Sequence, residues 1–362
     1  MQNNTSNSYF FGFSIWKRLL ITITPFFDVQ PIFINPIFGN NHLTLALKKK
    51  MNPQSSLYIW GKKTVSAIEH YAVQHGCKIY HVEDGFIRSI SLGSDLTQPY
   101  SLVIDSRGIY FDPTCESDLE YILQNHTFND NEIARAKNIQ LFLIEKKLSK
   151  YNVYENRALN FPTDREIIVV PGQVEDDASI HYGAKGMSNL ELLRQTRANR
   201  PNGYIIYKPH PDVLVGNRVG KIDDEEALRY CDRIVTEVGI DSVLKYADEV
   251  HTMTSLVGFE ALIRGIKVVT YGLPFYAGWG LTIDMQSCSR RKRQCRLHEL
   301  VAATYILYPL YIDPLTKKRC EIEDVLSFLD TERAHYKNSI ALKIRNWFSR
   351  KVQLLIRKLK GL

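Results

Sequence analysis

The sequence predicts an α/β protein of two doubly wound βαβ domains facing a cleft, with a basic amphipathic helix at the carboxyl end. Two observations predict it. Short β-branched or aromatic runs alternate with longer, charged, helically periodic stretches, the pattern of parallel strands joined by crossover helices. The chain has 362 residues, 44% of them apolar and 23% charged, which suits two separate cores and excludes a disordered or fibrous protein.

The first series begins near Ser56. Leu57 to Trp60 reads as a strand, Thr64 to His75 as a helix and Lys78 to Val82 as a strand. Ser101 to Asp105 and Gly108 to Phe111 read as two more strands around a Ser-Arg-Gly turn, and Ser117 to Leu148 as mostly helix. The second series opens with the apolar strand Ile167 to Val170. It continues through a helix at Asn189 to Arg197, a strand at Gly203 to Tyr207, a helix from Glu225 and a strand at Arg233 to Val235. A helix at Ser242 to Tyr246, a strand at Glu249 to Thr252, a helix at Ser255 to Arg264 and a strand at Lys267 to Tyr271 complete it. The expected domains are 1–160, 161–330 and a helical tail, 331–362.

The first thirty residues are rich in apolar side chains, but Lys17 and Arg18 interrupt the run and Pro25 follows. Neither a secretory signal nor a spanning helix fits. From Lys337 to Leu362 basic residues interleave with aliphatic and aromatic ones, and no acid occurs. This pattern suits a helix lying on anionic lipid, and equally a terminal helix packing its apolar side on the protein. The net charge of +7 suits an anionic partner without choosing among nucleic acid, phosphate-bearing substrate, acidic glycan and membrane. Six cysteines without a Cys-x-x-Cys pair read as reduced thiols of a cytoplasmic protein.

Loops that follow strands are where an open α/β sheet does chemistry. Val82-Glu83-Asp84-Gly85 sets two carboxylates at a strand end, suited to proton transfer or to a plain turn. Val170-Pro171-Gly172-Gln173-Val174-Glu175-Asp176-Asp177-Ala178-Ser179 puts three acids after a buried strand, where Asp176 or Asp177 also suits a helix N-cap. The run lacks the neutral ligands and glycine of a calcium loop, so no metal site is expected. Tyr207-Lys208-Pro209-His210-Pro211-Asp212, followed by Gly216-Asn217-Arg218, presents cationic and donor groups on a proline-stiffened loop, as a phosphate clamp would. His251-Thr252-Met253-Thr254-Ser255 runs from a strand into a helix whose N–H groups, with the Thr254 and Ser255 hydroxyls, suit a phosphate; Glu260 lies on its first turns. Tyr271 to Thr282 is a glycine- and aromatic-rich loop, able to stack on a ring or to pack as a turn. Arg290-Arg291-Lys292-Arg293 suits an anionic substrate or a solvated face. The glycine-rich dinucleotide fingerprint and the P-loop are both missing from the sequence, which argues against NAD-dependent and ATPase chemistry.

Together with Leu92-Gly93, Ser101-Leu102-Val103, Gly108 to Asp112, Leu148 to Asn152, Asp248 to Glu260 and Leu273 to Thr282, these motifs resemble one module of the KpsC/LipA family of β-Kdo transferases, over roughly residues 55–315. The resemblance implies a GT-B-like fold of two Rossmann-like domains. It also implies a retaining transferase that moves Kdo from CMP-β-Kdo to a Kdo-terminated phosphatidylglycerol glycolipid, in the linker of a bacterial capsule. Family members carry two modules, and the Pro-Gly-Gln-Val-Glu-Asp-Asp-Ala-Ser and Lys-Pro-His-Pro-Asp runs look like the carboxy-terminal one. That implies a β-2,7 linkage and leaves open both a split or truncated gene and dependence on a separate partner module.

By the same resemblance Asp177 is the nucleophile and Glu83 or Asp84 the acid/base. Lys208, His210, Thr254 and Ser255 hold the CMP phosphate, Glu260 meets ribose, and Gln173, Asn217 and Arg218 complete the binding set. No tightly bound cofactor, metal or nucleic acid is expected, and the place of work is the cytoplasm, at the inner face of the inner membrane if the tail binds lipid. Another CMP-linked ulosonic acid such as sialic acid, or an inactive glycan-binding module of the capsule assembly, are the competing readings.

Overall fold

The computed structural model describes residues 7–35, 41–62, 66–89, 98–148, 159–162, 164–214, 216 and 218–338. In chain order its elements begin with β1 (Ser8–Phe11), α1 (Ile15–Ile23), β2 (Pro31–Ile34), α2 (His42–Lys48), β3 (Ser56–Trp60), α3 (Ser66–His75), β4 (Lys78–Asp84), β5 (Ser101–Asp105), α4 (Asp118–Asn125) and α5 (Asp130–Lys146). There follow β6 (Ile167–Pro171), α6 (Ala178–Gly183), α7 (Asn189–Asn199), β7 (Tyr204–Lys208), α8 (Pro211–Leu214), α9 (Asp224–Ala227), β8 (Arg233–Ile234), α10 (Ile240–Leu244), β9 (Glu249–Thr252) and α11 (Leu256–Ile263). The series closes with β10 (Lys267–Thr270), β11 (Ile283–Asp284), α12 (Leu297–Ala302), β12 (Pro309–Ile312), β13 (Arg319–Cys320) and α13 (Ile322–Asn338). They form two compact units, one of the residues up to Ile109 together with those from Thr304, the other of Tyr110–Ala303.

The first unit is built on a seven-stranded sheet, β13-β12-β5-β4-β3-β1-β2. β2, β1, β3 and β4 run parallel, and β5, β12 and β13 extend the sheet antiparallel. β1 is buried along its whole length because both faces of a central strand are covered. Tyr9 and Phe11 pack with Leu57, Ile59 and Ile68 on one face. Phe10 packs with Phe13, Trp60, Val82 and Ile312 on the other. The aromatic run Tyr9, Phe10, Phe11 and Phe13 is therefore core of the first unit. No helix among the described residues is long and apolar enough to cross a membrane.

The second unit carries a six-stranded, wholly parallel sheet, β11-β10-β9-β6-β7-β8. Counted from β8 within this sheet, the order is 3-2-1-4-5-6, that of a dinucleotide-type doubly wound fold. β6 reads Ile-Ile-Val-Val-Pro and is buried throughout, with Ile168 and Val170 packed among Leu192, Leu193, Ile205 and Val269. The strand order reverses between β6 and β9, and the carboxyl ends at such a reversal are where ligands bind.

The expected limits at 160 and 330 do not match this division. Helices α4 and α5 belong to the second unit. Glu120 of α4 receives Arg290 at 2.6 Å and Arg291 at 3.0 Å, while Gln140 of α5 donates to the Ile263 carbonyl at 2.6 Å. β12 returns to the first sheet, its Tyr311 paired with Ser101. Residues 108–111, expected as a strand, are not strand. The helix expected from Glu225 is the single turn α9. Most of the basic tail, from residue 339, lies outside the described residues, as do Leu92-Gly93, Ser149 to Asn152 and Asn217.

Candidate active site

The loops leaving β6, β7 and β9 bring most of the predicted site residues together. Pro171 ends β6 beside Lys208 at the end of β7, and the Gly172 N–H donates to the Lys208 carbonyl at 2.8 Å. A Cβ on Gly172 would lie 2.7 Å from the Tyr207 hydroxyl, so this approach requires glycine.

Gln173 reaches from the β6 loop across the reversal to the start of α11. Its Oε1 accepts from Thr252 Oγ1 at 3.2 Å, Thr254 N at 3.0 Å and Ser255 N at 3.2 Å. Its Nε2 donates to Thr254 Oγ1 at 3.0 Å. The N–H groups of Thr254 and Ser255, which precede the first turn of α11, are thereby taken by the Gln173 amide oxygen. The Ser255 hydroxyl accepts from Val257 N at 3.2 Å as the N-cap of α11.

Asp177 is the N-cap of α6, with Oδ1 accepting from Ser179 N at 2.9 Å and Ser179 Oγ at 2.8 Å. Ser179 Oγ in turn receives Thr254 Oγ1 at 3.2 Å. Asp176 is exposed and takes Arg218 at 3.1 Å. Glu175 accepts from Asn189 N at 2.7 Å. Asn189, which the sequence reading misses, is buried and draws the loops together, donating to the Gln173 and Gly220 carbonyls at 2.8 and 2.9 Å and accepting from Gln173 N at 2.8 Å. The signal available for it is indirect: Ser188 caps α7 through Glu191 N, which sets Asn189 in the first turn.

The β7 loop supplies two polar groups of different character. Lys208 is 6% exposed. Burial pulls its pKa down to about 8 against the favourable charge of Glu237. Its ammonium has no hydrogen-bond or ion-pair partner among the described residues. Burial also lowers the His210 pKa, against the raising charges of Asp212 and Asp177. His210 Nδ1 accepts from Asp212 N at 3.1 Å, which leaves the proton of the neutral ring on Nε2.

Glu260 is buried on α11. Its charge, after burial and Asp284, helps raise the pKa of the buried Tyr276 hydroxyl. The aromatic loop after β10 is a packed turn: Tyr276 donates to the Ser255 carbonyl at 2.5 Å and Trp279 to that of Phe275 at 2.8 Å. The basic run is no open anion site either. Arg290 and Arg291 hold Glu120, and Arg293 holds Glu299 at 2.7 Å.

Glu83 and Asp84 lie in the first unit, at the end of β4. Glu83 accepts from Asp84 N at 3.0 Å, and Asp84 forms an ion pair with the buried Arg88 at 2.8 Å. Among the described residues no group of three or more His, Cys, Asp or Glu side chains is arranged to hold a metal ion.

Residues 56–311 match the family described as capsule polysaccharide biosynthesis protein. The chain belongs to that family. Every candidate site residue, from Glu83 to Glu260, falls within the capsule-family span. Capsule polysaccharide modification protein LipA of Neisseria meningitidis serogroup A is 46% identical over 345 residues, which are 95% of this chain and 48% of that protein. The chain thus spans about half the length of the LipA proteins it matches. Lipopolysaccharide-processing protein LpsZ of Rhizobium meliloti is 40% identical over 329 residues, 89% of this chain and 74% of that protein. Two solved structures of Thermosulfurimonas dismutans KpsC are also similar. The beta Kdo 2,7 transferase has a TM-score of 0.73 at 37% identity, over 91% of this chain and all of that one. The beta Kdo 2,4 transferase has a TM-score of 0.75 at 30% identity, over 89% and 97%. The fold of this capsule-family chain is the GT-B-like α/β class that the sequence resemblance implies.

Proposed function

We propose that this chain is a retaining β-Kdo transferase that moves Kdo from CMP-β-Kdo to a Kdo-terminated glycolipid acceptor in the cytoplasm and forms the β-2,7 linkage. The observation that carries the reading is that the adjacent loops after β6 and β7 bring Asp177 and Lys208 close enough to the His210 ring for both charges to act on it. Higher identity to the 2,7 than to the 2,4 transferase supports the linkage. The TM-scores lean slightly the other way, but they measure the backbone that both enzymes share, whereas linkage is chosen by side chains.

In this mechanism Asp177 attacks the anomeric carbon. The bond to the phosphate oxygen breaks, and its electron pair leaves with CMP. Lys208 and the His210 Nε2–H stabilise the charge on that phosphate. The acceptor hydroxyl then displaces Asp177, losing its proton to Glu83 or Asp84, so two inversions give retention. Gln173, Thr254 and Ser255 shape the donor pocket, with Arg218 and Glu260 as further donor contacts.

Purified protein incubated with CMP-Kdo and a synthetic Kdo-terminated acceptor should release CMP and yield a product one Kdo heavier, with its linkage fixed by NMR. Asp177→Ala should lower kcat by at least about 10³-fold. Unchanged turnover in that variant, or transfer from CMP-sialate in place of CMP-Kdo, would sink the proposal.

A further inference from the structure

A directional hydrogen-bond chain ends on Asp177. The side-chain carbonyl of Gln173 faces three groups, of which two are backbone N–H donors, Thr254 N and Ser255 N. This fixes which end of the amide is oxygen, since the flipped amide would set donors against donors. Nε2 must then donate to Thr254 Oγ1, at 3.0 Å. The Thr254 hydroxyl proton consequently turns to Ser179 Oγ at 3.2 Å, and the Ser179 proton to Asp177 Oδ1 at 2.8 Å. The polarity is therefore set in the turn that leads into α11 and carried across the reversal to one oxygen of one carboxylate. Chains of this kind polarise each member in the same sense.

We propose that Gln173, Thr254 and Ser179 are positioning residues that commit Oδ1 of Asp177 to accepting, leave Oδ2 as the oxygen that bonds the sugar, and speed departure of the carboxylate in the second displacement. The proposal rests on Asp177 being the nucleophile. In the first displacement an Oδ2 lone pair forms the bond to the anomeric carbon, and CMP leaves with the electrons of the broken bond. In the second, the acceptor oxygen bonds to that carbon, its proton passes to the acid/base carboxylate, and the pair of the carbon–Oδ2 bond returns to Asp177. Donors on Oδ1 favour the carboxylate over the ester carbonyl. They therefore retard attack and assist departure, and their removal makes breakdown of the glycosyl-enzyme the slow step.

The test uses Ser179→Ala, Thr254→Val and Ser179→Thr in the full chain, with CMP-Kdo and the synthetic acceptor, read by steady-state kinetics and by intact mass of the enzyme during turnover. In Ser179→Ala, kcat should fall about ten- to a hundredfold. The donor KM should fall with it, and the fraction of enzyme carrying one Kdo should rise above that of the wild type. Thr254→Val should shift all three the same way by less, and Ser179→Thr should restore them. A Ser179→Ala enzyme with wild-type kcat, or one slowed without accumulating the adduct, overturns the relay while the dependence on Asp177 stands. Turnover that survives Asp177→Ala overturns the nucleophile reading and the relay together.

Discussion

The two ends of the parallel sheet in the second unit treat their charges in opposite ways. At the amino end of β9, Glu249 is fully buried. It takes Arg200 at 2.7 and 2.9 Å and His251 at 3.1 Å, and His251 also meets the Tyr271 hydroxyl at 3.0 Å. Burial alone would raise the Glu249 pKa, but the His251 and Arg200 bonds take it down to about 2. At the carboxyl end, Lys208 is buried and His210 half-buried, both with lowered pKa values, and no carboxylate among the described residues pairs with the Lys208 ammonium. A closed network specifies the sheet. A buried cation with no carboxylate in contact lowers stability, and a phosphate supplied from outside reverses that cost. The contrast also separates two histidines that look alike in sequence, since among the described residues His251 has both ring nitrogens engaged inside the protein and His210 only one.

Opening the closed end should have the largest effect. Arg200→Met leaves the Glu249 carboxylate short of its cation and should destabilise the protein by about 3 kcal/mol, read as a shift in denaturant midpoint, with donor affinity of the folded protein unchanged. The same pair predicts acid sensitivity. Glu249 is depressed in the folded state, so its contribution is fully present above the ordinary glutamate value of about 4.5 and is lost as pH falls toward 2. A denaturation series that is flat over that window would show the network to be inert.

Closing the open end should act in the reverse direction. Lys208 titrates near 8 when folded and near 10.5 when unfolded, so its ionisation opposes folding fully below pH 8 and is relieved as pH rises toward 10.5. Lys208→Met should therefore gain up to about 3 kcal/mol at pH 7, while weakening CMP binding by a measurable factor in calorimetry. A variant that is less stable and binds normally would place Lys208 among the structural residues.

How much of this contrast the sequence reveals depends on the range of the interactions. The strands from Leu57, Lys78, Ile167, Tyr204, Glu249 and Lys267 are legible because each is a short run rich in β-branched or aromatic residues, and the loops after β6, β7 and β9 are legible because each places polar residues directly after such a run. β1 is not, since Ser8–Phe11 reads only as part of an apolar segment until β2 and β3 are seen on either side of it. Membership of α4 and α5 is hidden because Glu120 finds its partners about 170 residues away, at Arg290 and Arg291. That pairing also defeats the reading of the basic run as an anion site. Asn189 escapes because nothing in a helix-start asparagine announces that its amide holds two loops.

Asp84 in the first unit tests whether the closed and open pattern extends beyond one sheet. Its ion pair with buried Arg88 marks it as closed. Asp84→Asn should cost about 2 kcal/mol of stability through the weakened pair, whereas Glu83→Gln should leave the melting temperature near that of the wild type and lower kcat. Equal stability losses in both variants would remove the distinction and leave the acid/base role unassigned between them.

The smallest expected effect concerns His210, and it separates a charge from a dipole at the open end. Because burial lowers its pKa and Nδ1 accepts from Asp212 N, the ring should meet a phosphate as a neutral Nε2–H donor. His210→Ala should then weaken CMP binding by about tenfold, the worth of one hydrogen bond to a charged group. His210→Gln, whose amide N–H reaches to about the position of Nε2, should recover most of it. Once the second ionisation of the CMP phosphate at about pH 6 is allowed for, affinity for the CMP dianion should be level from pH 6 to 7.5 and fall only above about 8, as Lys208 loses its proton. A decline that begins between pH 6 and 7 would mean the bound state draws on an imidazolium, and the open end would then offer two charges to the phosphate instead of one charge and one oriented dipole.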